Sequence, residues 1–323
     1  MERGNQGNTS RGGLKEGWLM EWGVALNVSE TVSTTIDSAV ILEEAGFDQI
    51  WITDYPSDRY APVVAAAVAE ATTGCKIGLG LLSPYLYPAG HITQMLETLI
   101  LTYGPRFSVL LGPGDRYALQ RVGVKQDRGT IVVERVIETA LQVKQFLVER
   151  DLQGRVFLGA QGPRMIDASE RVDGVLLNYT DLEMARLVTE RLRTRKRGFI
   201  MGLFPPSHVS PDAQASRESV LFASTMVALG LTRSLQKKFG LSERIGPASR
   251  AVQESGRVTK EIIDTVGEDT LHRFGLGVTG PQLCRYMKDA EAYGYDLVVL
   301  GPPLCMSSQA VRYAAEARRA CVE

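Results

Sequence analysis

The chain has 323 residues, of which 44% are hydrophobic, enough to bury a sizeable core as one α/β barrel or as two smaller domains. Its 36 basic and 37 acidic residues give a formal net charge of -1, so no electrostatic field favours nucleic acid or an anionic membrane as a partner. The four cysteines show no C-x-x-C pair and no metal-ligand spacing, and we expect them to be reduced thiols outside any disulfide framework: Cys75, Cys284, Cys305 and Cys321. We therefore expect no bound metal, no nucleic acid and no membrane partner.

Residues 1–20 differ in composition from the rest of the chain. They are rich in Gly, Asn, Ser and charged residues and lack the apolar core of a signal peptide, so we expect a disordered N-terminal tail. The longest near-apolar run, Ala61 to Ala69, is too short to span a bilayer. The sequence therefore predicts a cytoplasmic protein with a single folded domain over residues 21–323.

Short apolar runs alternate with helical patterns from Trp22 to the end of the chain, which predicts βα units around a parallel sheet. Eight strands are predicted, at Trp22–Asn27, Gln49–Thr53, Lys76–Leu82, Phe107–Leu111, Val156–Gly159, Gly174–Leu177, Phe199–Leu203 and Leu297–Leu300. Eight such units favour a closed (β/α)8 TIM barrel. An open doubly wound sheet is disfavoured because no G-x-G-x-x-G turn follows the first strand.

The segment from Pro205 to Ala292 is too long for one crossover helix. It is predicted to form several helices, including Ser216–Leu229, Glu243–Glu254 and Pro281–Tyr293, as an insertion before the last strand. An insertion that leaves the carboxyl end of a barrel strand lies at the rim where barrel active sites are built. We therefore expect this segment to cover the substrate.

Two clusters that follow predicted strands are candidates to contact a ligand. Asp54 and Tyr55 follow the second strand and are the candidate catalytic side chains, although an Asp54 that caps the next loop would explain the pattern equally well. Gly80, Leu81 and Ser83 lie at the end of the third strand. Glycine there lets a flat ring approach the backbone, and turn formation alone would also explain it.

Two further glycine-rich runs follow the fourth and fifth strands. The run Gly159-Ala160-Gln161-Gly162-Pro163 precedes a helix that begins near Arg164. Unpaired amides at a helix N-terminus attract an anion, so this turn is a candidate site for a cofactor phosphate, although a purely structural turn also needs glycine. The run Gly112-Pro113-Gly114-Asp115 closes the fourth strand and faces the same cavity or forms an ordinary tight turn.

The order of these pieces resembles the luciferase-like superfamily, which includes bacterial luciferase and F420-dependent oxidoreductases. The string Glu43-Glu44-Ala45-Gly46-Phe47-Asp48-Gln49-Ile50-Trp51-Ile52-Thr53-Asp54 resembles the superfamily's second-strand signature. The runs at 110–115 and 159–165 resemble the methylenetetrahydromethanopterin reductase branch specifically. The match continues through Val172-Asp173-Gly174-Val175-Leu176-Leu177-Asn178 and 293–303, and it is weakest from Pro205 to Gly275.

The resemblance implies a barrel that binds coenzyme F420, a deazaflavin with a phosphate-bearing tail, and that transfers hydride between its C5 and a small organic substrate, such as a tetrahydromethanopterin-type pterin. It also implies a cis peptide bond between Gly80 and Leu81 and, because members assemble through barrel helices, a homodimer. The cofactor-binding residues that it implies are Gly80, Leu81 and Ser83 at the ring, Gly159, Ala160, Gln161 and Gly162 at the tail, and Gly112, Gly114, Asp115 and Asn178 in addition.

Two positions depart from the family pattern where the chemistry is expected. The family's first strand usually ends in a carboxylate, and here Ala25 stands in that position, where it cannot relay a proton. The Asp-His pair common after the second strand is Asp54-Tyr55, so a phenol with a reference pKa of about 10 replaces an imidazole. Two alternatives to an F420-dependent oxidoreductase therefore stay open: an FMN-dependent monooxygenase of the same superfamily, and a non-catalytic flavin-binding or partner-binding paralogue.

Overall fold

The computed structural model describes residues 20–28, 30–127, 129–192 and 196–322. The predicted disordered tail lies outside these ranges except for Met20, which is buried. The strands in these ranges are β1 (Glu21–Leu26), β2 (Gln49–Ile52), β3 (Lys76–Leu82), β4 (Phe107–Leu111), β5 (Arg155–Ala160), β6 (Gly174–Leu177), β7 (Ile200–Leu203), β8 (Ser207–Val209), β9 (Leu276–Val278) and β10 (Leu297–Leu300).

The helices surround these strands on the outside and fill the segment between β7 and β10. They are α1 (Val32–Glu44), α2 (Ala61–Ala71), α3 (Ala89–Tyr103), α4 (Arg116–Arg121), α5 (Thr130–Glu149), α6 (Pro163–Ser169), α7 (Leu182–Thr189), α8 (Ala213–Leu229), α9 (Arg233–Lys238), α10 (Ser242–Ser255), α11 (Lys260–Val266), α12 (Glu268–Leu271), α13 (Gly280–Ala292) and α14 (Ser308–Val322). A short 3₁₀ helix, Leu304–Met306, follows β10.

Eight of the strands close into a parallel barrel, in the order β1-β2-β3-β4-β5-β6-β7-β10, and β10 pairs back onto β1. The predicted (β/α)8 fold class is confirmed, and each predicted strand matches a barrel strand to within one residue at either end. Local signals set the helix ends as well. At α1, for example, the side chain of Thr31 accepts a hydrogen bond from the amide of Thr34, and Gly46 follows the helix at a φ of 86°.

Apolar side chains fill the inside of the barrel, and glycines on neighbouring strands make room for the largest of them. Trp51 is fully buried there, and a Cβ on Gly78 would lie 2.2 Å from its Cδ2 atom. Gly174 accommodates Phe157 in the same way, because a Cβ would lie 2.8 Å from that ring. The interior is therefore a packed core rather than a pore, as in other barrels of this size.

The segment between β7 and β10 forms the predicted insertion. The three helices predicted there correspond to α8, α10 and α13, and α13 leads directly into β10. The segment also contains a two-stranded parallel sheet of β8 and β9, which the sequence analysis did not predict. Each of these strands has three residues, which is too short for an alternating apolar pattern to stand out.

One expectation about the cysteines is wrong. Cys284 of α13 and Cys321 of α14 form a disulfide, with their Cα atoms 5.6 Å apart. The two residues are separated by 37 positions, and they meet because α13 and α14 pack side by side around β10. No local spacing pattern could show this proximity. Cys75 and Cys305 are free, as expected, and both are buried.

The described ranges lack two features, a membrane-spanning helix and a cluster of metal-ligating side chains. No helix there combines the length and the apolar character that crossing a membrane requires. The same ranges hold no group of three or more His, Cys, Asp or Glu side chains arranged to bind a metal ion.

Candidate functional site

A cavity of about 920 Å³ opens at the carboxyl-terminal end of the barrel strands. Twelve of the thirteen predicted site residues line it, namely Asp54, Tyr55, Gly80, Leu81, Ser83, Gly114, Asp115, Gly159, Ala160, Gln161, Gly162 and Asn178. The other, Gly112, lies behind Leu81, where a Cβ would come within 2.3 Å of the leucine Cδ1 atom. Closure of the barrel thus brings together clusters that follow five different strands, at the face where barrel active sites lie.

The end of β3 forms part of the cavity wall. The peptide bond between Gly80 and Leu81 is cis, as the family resemblance implied, and the pairing of β3 with β4 shifts register between Gly80 and Leu82. The Leu81 side chain packs between Gly112 and Gly159, since a Cβ on Gly159 would lie 2.9 Å from the same Cδ1 atom. Because neither glycine has a Cβ, the Leu81 side chain can occupy the space between them at the cavity wall.

Asp54 is held in a partly desolvated position by Tyr87. The Tyr87 hydroxyl donates a hydrogen bond to Asp54 Oδ1 at 2.8 Å. Burial raises the pKa of Asp54, and hydrogen bonds from Tyr87 and from the backbone of Ala61 offset part of that rise. Burial and the adjacent carboxylate raise the pKa of Tyr87, so its phenol stays protonated. Sequence reasoning missed Tyr87, which is 33 positions from Asp54 and reaches it from the loop after β3.

Tyr55 lies at the mouth of the cavity with 42% of its surface exposed. Burial of its hydroxyl raises its pKa, the carboxylates of Asp115 and Asp58 raise it further, and Arg121 opposes them. The phenol is therefore protonated throughout the neutral range. It can donate a hydrogen bond to a ligand, although it cannot titrate near neutrality as a histidine would.

Ala25 does not face the cavity. It is fully buried in the interior cluster that contains Trp51, its partner in the register of β1 and β2. Phe204 packs on this cluster, with its ring centroid 5.9 Å from that of Trp51, and it also lines the cavity. An apolar floor therefore lies between Ala25 and the ligand space.

Two helix N-termini meet at one end of the cavity and form what we call the anion cradle, made of Gly162, Arg164, Thr232 and Ser234. Gly162 precedes α6 and Thr232 precedes α9, and a Cβ on Gly162 would meet only Thr232 Cγ2, at 3.9 Å. Arg164 and Ser234, which lie two positions after Gly162 and Thr232 in the chain, also line the cavity. Helix N-termini and a guanidinium group both attract anions. Sequence reasoning found the α6 turn and missed Thr232 and Ser234, which lie in the insertion.

The walls next to the anion cradle carry an unsatisfied acceptor, after β6, and a contact with the insertion, after β5. Asn178 Oδ1 is buried and has no hydrogen-bond partner within the described part of the chain. The side-chain Nε2 of Gln161 donates a hydrogen bond to the backbone carbonyl of Val227 at 3.1 Å. The backbone carbonyl of Gln161 accepts a hydrogen bond from the Tyr179 hydroxyl, also at 3.1 Å. Gln161 thus ties α8 of the insertion to the end of β5, and the α8 residues that close the cavity are Ser219, Phe222, Ala223, Met226 and Val227.

Comparison with known proteins places this cavity in context. The 5,10-methylenetetrahydromethanopterin reductase of Archaeoglobus fulgidus is 23% identical over 299 residues, which cover 82% of this chain and 88% of that protein. The structure of the coenzyme F420-dependent tetrahydromethanopterin reductase from Methanopyrus kandleri matches with a TM-score of 0.74 at 15% identity, over 92% of this chain and 98% of that one. An F420-dependent secondary alcohol dehydrogenase in complex with an F420-acetone adduct matches with a TM-score of 0.71 at 14% identity, over 94% and 99%.

These two structures show the same fold as this chain, and the family follows from the sequence match. The family described as luciferase-like monooxygenase matches residues 14–285, which is most of the chain. The chain therefore belongs to the luciferase-like monooxygenase family.

Proposed function

We propose that this chain is an oxidoreductase that uses coenzyme F420 and transfers hydride between the deazaflavin and a small organic substrate. The observation that carries the proposal is the cavity of about 920 Å³ whose lining includes the anion cradle. The reductase and dehydrogenase relatives, which are named as F420-dependent, support the choice of cofactor.

The residues present fit a flat ring with an anionic tail. Open space beside Gly162, where a Cβ would meet only Thr232, leaves the cradle free to receive a phosphate. The buried Asn178 Oδ1 needs a donor, which an N–H or O–H group of a bound ligand would supply. A cavity of about 920 Å³ lies in the range of pockets that enclose cofactor-sized molecules.

When bound, coenzyme F420 supplies the carbon that carries the hydride. The chain's own residues then have separate tasks. Leu81 and the glycines beside it support the ring region, and the anion cradle holds the tail. Asp54 and Tyr55 lie where they can hold a proton or donate a hydrogen bond to the substrate. The apolar floor formed by Phe204 excludes water from below.

Equilibrium binding tests this proposal directly. Purified protein is titrated with F420 and, separately, with FMN, and binding is followed by absorbance and fluorescence. We expect tight binding of F420. Because the anion cradle would also accept the phosphate of FMN, a preference for FMN would contradict the proposal and favour a monooxygenase. Binding of neither would favour a paralogue that acts through a partner surface.

A homodimer in the cytoplasm is part of the same proposal. Val63 on α2 and Leu101 on α3 are large apolar side chains with 61% and 72% of their surface exposed, as expected for helices that face a second subunit. Light scattering coupled to size-exclusion chromatography gives the mass in solution. A monomeric mass at micromolar concentration would contradict this part of the proposal.

A further inference from the structure

The two candidate catalytic side chains, Asp54 and Tyr55, lie in one loop of the barrel mouth. This loop, residues 53–60 between β2 and α2, is called here the β2–α2 loop. Inside it the amide of Asp58 donates a hydrogen bond to the Tyr55 carbonyl at 2.9 Å, which forms a turn. A loop of this length has many conformations unless other parts of the fold hold it, so the contacts at its ends decide where its side chains stand.

One buried side chain, Asn27 after β1, binds both ends of the β2–α2 loop. Its Nδ2 atom donates hydrogen bonds to the backbone carbonyls of Thr53, at 2.8 Å, and Arg59, at 3.0 Å. Carbonyl oxygens only accept, so the amide nitrogen of Asn27 must be the atom that faces them. The Thr53 hydroxyl returns a hydrogen bond to the carbonyl of Leu26, at 2.7 Å. The two ends of the loop are thereby fixed to the end of the first barrel strand.

The backbone and the side chain of Asn27 place separate demands on the residue type. Its φ is 77°, a left-handed conformation that asparagine tolerates better than most residues, and its amide offers the two N–H groups that the loop carbonyls need. Glycine would adopt this φ without a donor, and aspartate would accept rather than donate. Asn27 is fully buried, and its Oδ1 has no hydrogen-bond partner among the described residues. An unpaired buried acceptor is costly, so the two donated bonds are what this side chain contributes.

We infer that Asn27 is a positioning residue, which holds the β2–α2 loop closed and thereby sets the place of Asp54 and Tyr55 in the cavity. The inference rests on the proposed function for the roles of those two side chains. Tyr87 holds the Asp54 carboxylate from the loop after β3, whereas Asn27 holds the backbone of the β2–α2 loop from the end of β1. Without Asn27 the loop can open away from β1, and Asp54 then gains contact with water.

Limited digestion with trypsin tests whether the loop opens. Arg59 is the one lysine or arginine in residues 53–60, and its carbonyl, which belongs to the bond that trypsin cuts, accepts one of the two hydrogen bonds from Asn27. Asn27→Gly permits the same backbone conformation and removes the amide, whereas Asn27→Asp keeps the side-chain shape and removes both donors. We expect cleavage after Arg59 to be at least about tenfold faster than in the wild type in both variants. Cleavage at the wild-type rate would overturn the inference, and if one variant fails to fold the other decides.

Val143→Ala is the matched control for this digestion. Val143 is fully buried on α5, so the substitution lowers the stability of the whole barrel without a change in the β2–α2 loop. Mass spectrometry of the fragments shows which bonds are cut first. We expect early cleavage after Arg59 in the Asn27 variants alone. The same increase after Arg59 in Val143→Ala would overturn the inference, because global unfolding would then explain the result.

The pKa of Asp54 gives a second readout, which a purely structural role for Asn27 would leave unchanged. Burial raises this pKa above its ordinary value of 3.8, so an Asp54 that moves toward water should have a lower pKa. Carbon-13 NMR of the labelled carboxyl in Asn27→Gly measures it. Loss of the Tyr87 hydrogen bond alone would raise the pKa instead, so an unchanged or higher value would overturn the inference. Neither measurement needs a cofactor, so failure of this inference is seen separately from failure of the proposed function, which titration of the wild type with F420 tests.

Discussion

The hydroxyl of Tyr87 lies 2.8 Å from Asp54 Oδ1 and donates a hydrogen bond to it, joining the loops after β2 and β3 at the mouth of the barrel. The Tyr87 ring also stacks on Tyr60, with the two ring centroids 6.2 Å apart and an interplanar angle of 25°. The position of the Asp54 carboxylate is thus set by a side chain from the neighbouring loop. The protonation state of Asp54 depends on this contact.

Tyr87→Phe should raise the pKa of Asp54. Burial already raises this pKa, and the hydrogen bond from Tyr87 lowers it by favouring the carboxylate, so loss of the hydroxyl leaves burial less opposed. Carbon-13 NMR of the labelled side-chain carboxyl across a pH series measures the change. Tyr85→Phe is the control, because the Tyr85 hydroxyl donates to Asp127 instead, at 3.1 Å. An unchanged or lower Asp54 pKa in Tyr87→Phe would contradict the assignment.

The raised pKa of Asp54 also predicts the sign of a pH effect on stability. The folded state binds the Asp54 proton more tightly than the unfolded state, whose pKa is near 3.8. The contribution of Asp54 to stability is therefore fully present below that pH and is lost as the pH rises through the folded-state pKa. In urea unfolding, the free energy of unfolding of the wild type relative to Asp54→Asn should fall as pH rises through this window. A rise would refute the predicted direction.

Gly78→Ala should destabilise the barrel by about 1–3 kcal/mol, as overpacking of a close-packed core usually does. The added Cβ would lie 2.2 Å from Trp51 Cδ2, so the fully buried indole must move. Gly90→Ala in the first turn of α3 is the matched control, since its Cβ would meet nothing within 4 Å. Chemical denaturation of both variants checks the difference, and equal stability would refute the packing argument.

Ala25→Glu should fail to supply a working carboxylate. The new side chain would lie among Trp51, Phe157 and Leu297, with Ala25 itself fully buried, so an unpaired charge would be desolvated at a cost of several kcal/mol. We expect a large fall in the thermal midpoint or loss of soluble protein. Ala223→Glu, on the cavity wall contributed by α8, should be tolerated by comparison. A stable Ala25→Glu protein would show that the barrel interior is more open than described.

Arg164→Ala should weaken the binding of F420 by about tenfold, which corresponds to loss of one charge-assisted contact. Arg164 is the one cationic side chain among the described residues that line the cavity, and it lies in the anion cradle. The affinity of a deazaflavin that lacks the phosphate should change little. Fluorescence titration with both compounds measures the two effects, and an equal loss for both would place the arginine away from the tail.

The strands of the barrel are encoded locally, in short stretches of sequence. Strands such as β3 and β6 appear at their predicted bounds, because their apolar runs and flanking turn residues act over a few positions. The glycine clusters after β3, β4 and β5 were visible for the same reason. Their convergence on one cavity follows from the parallel barrel, in which all strand ends meet at one face.

Contacts between residues distant in the chain are visible in the tertiary structure alone. Tyr87 reaches Asp54, Thr232 of the insertion lies beside Gly162, and Cys284 bonds to Cys321. It also showed that Ala25 lies in a packed apolar interior rather than at the cavity surface. Each of these contacts joins residues at least 33 positions apart, so no local pattern encodes it. Barrel closure and helix packing, which depend on the whole chain at once, create them.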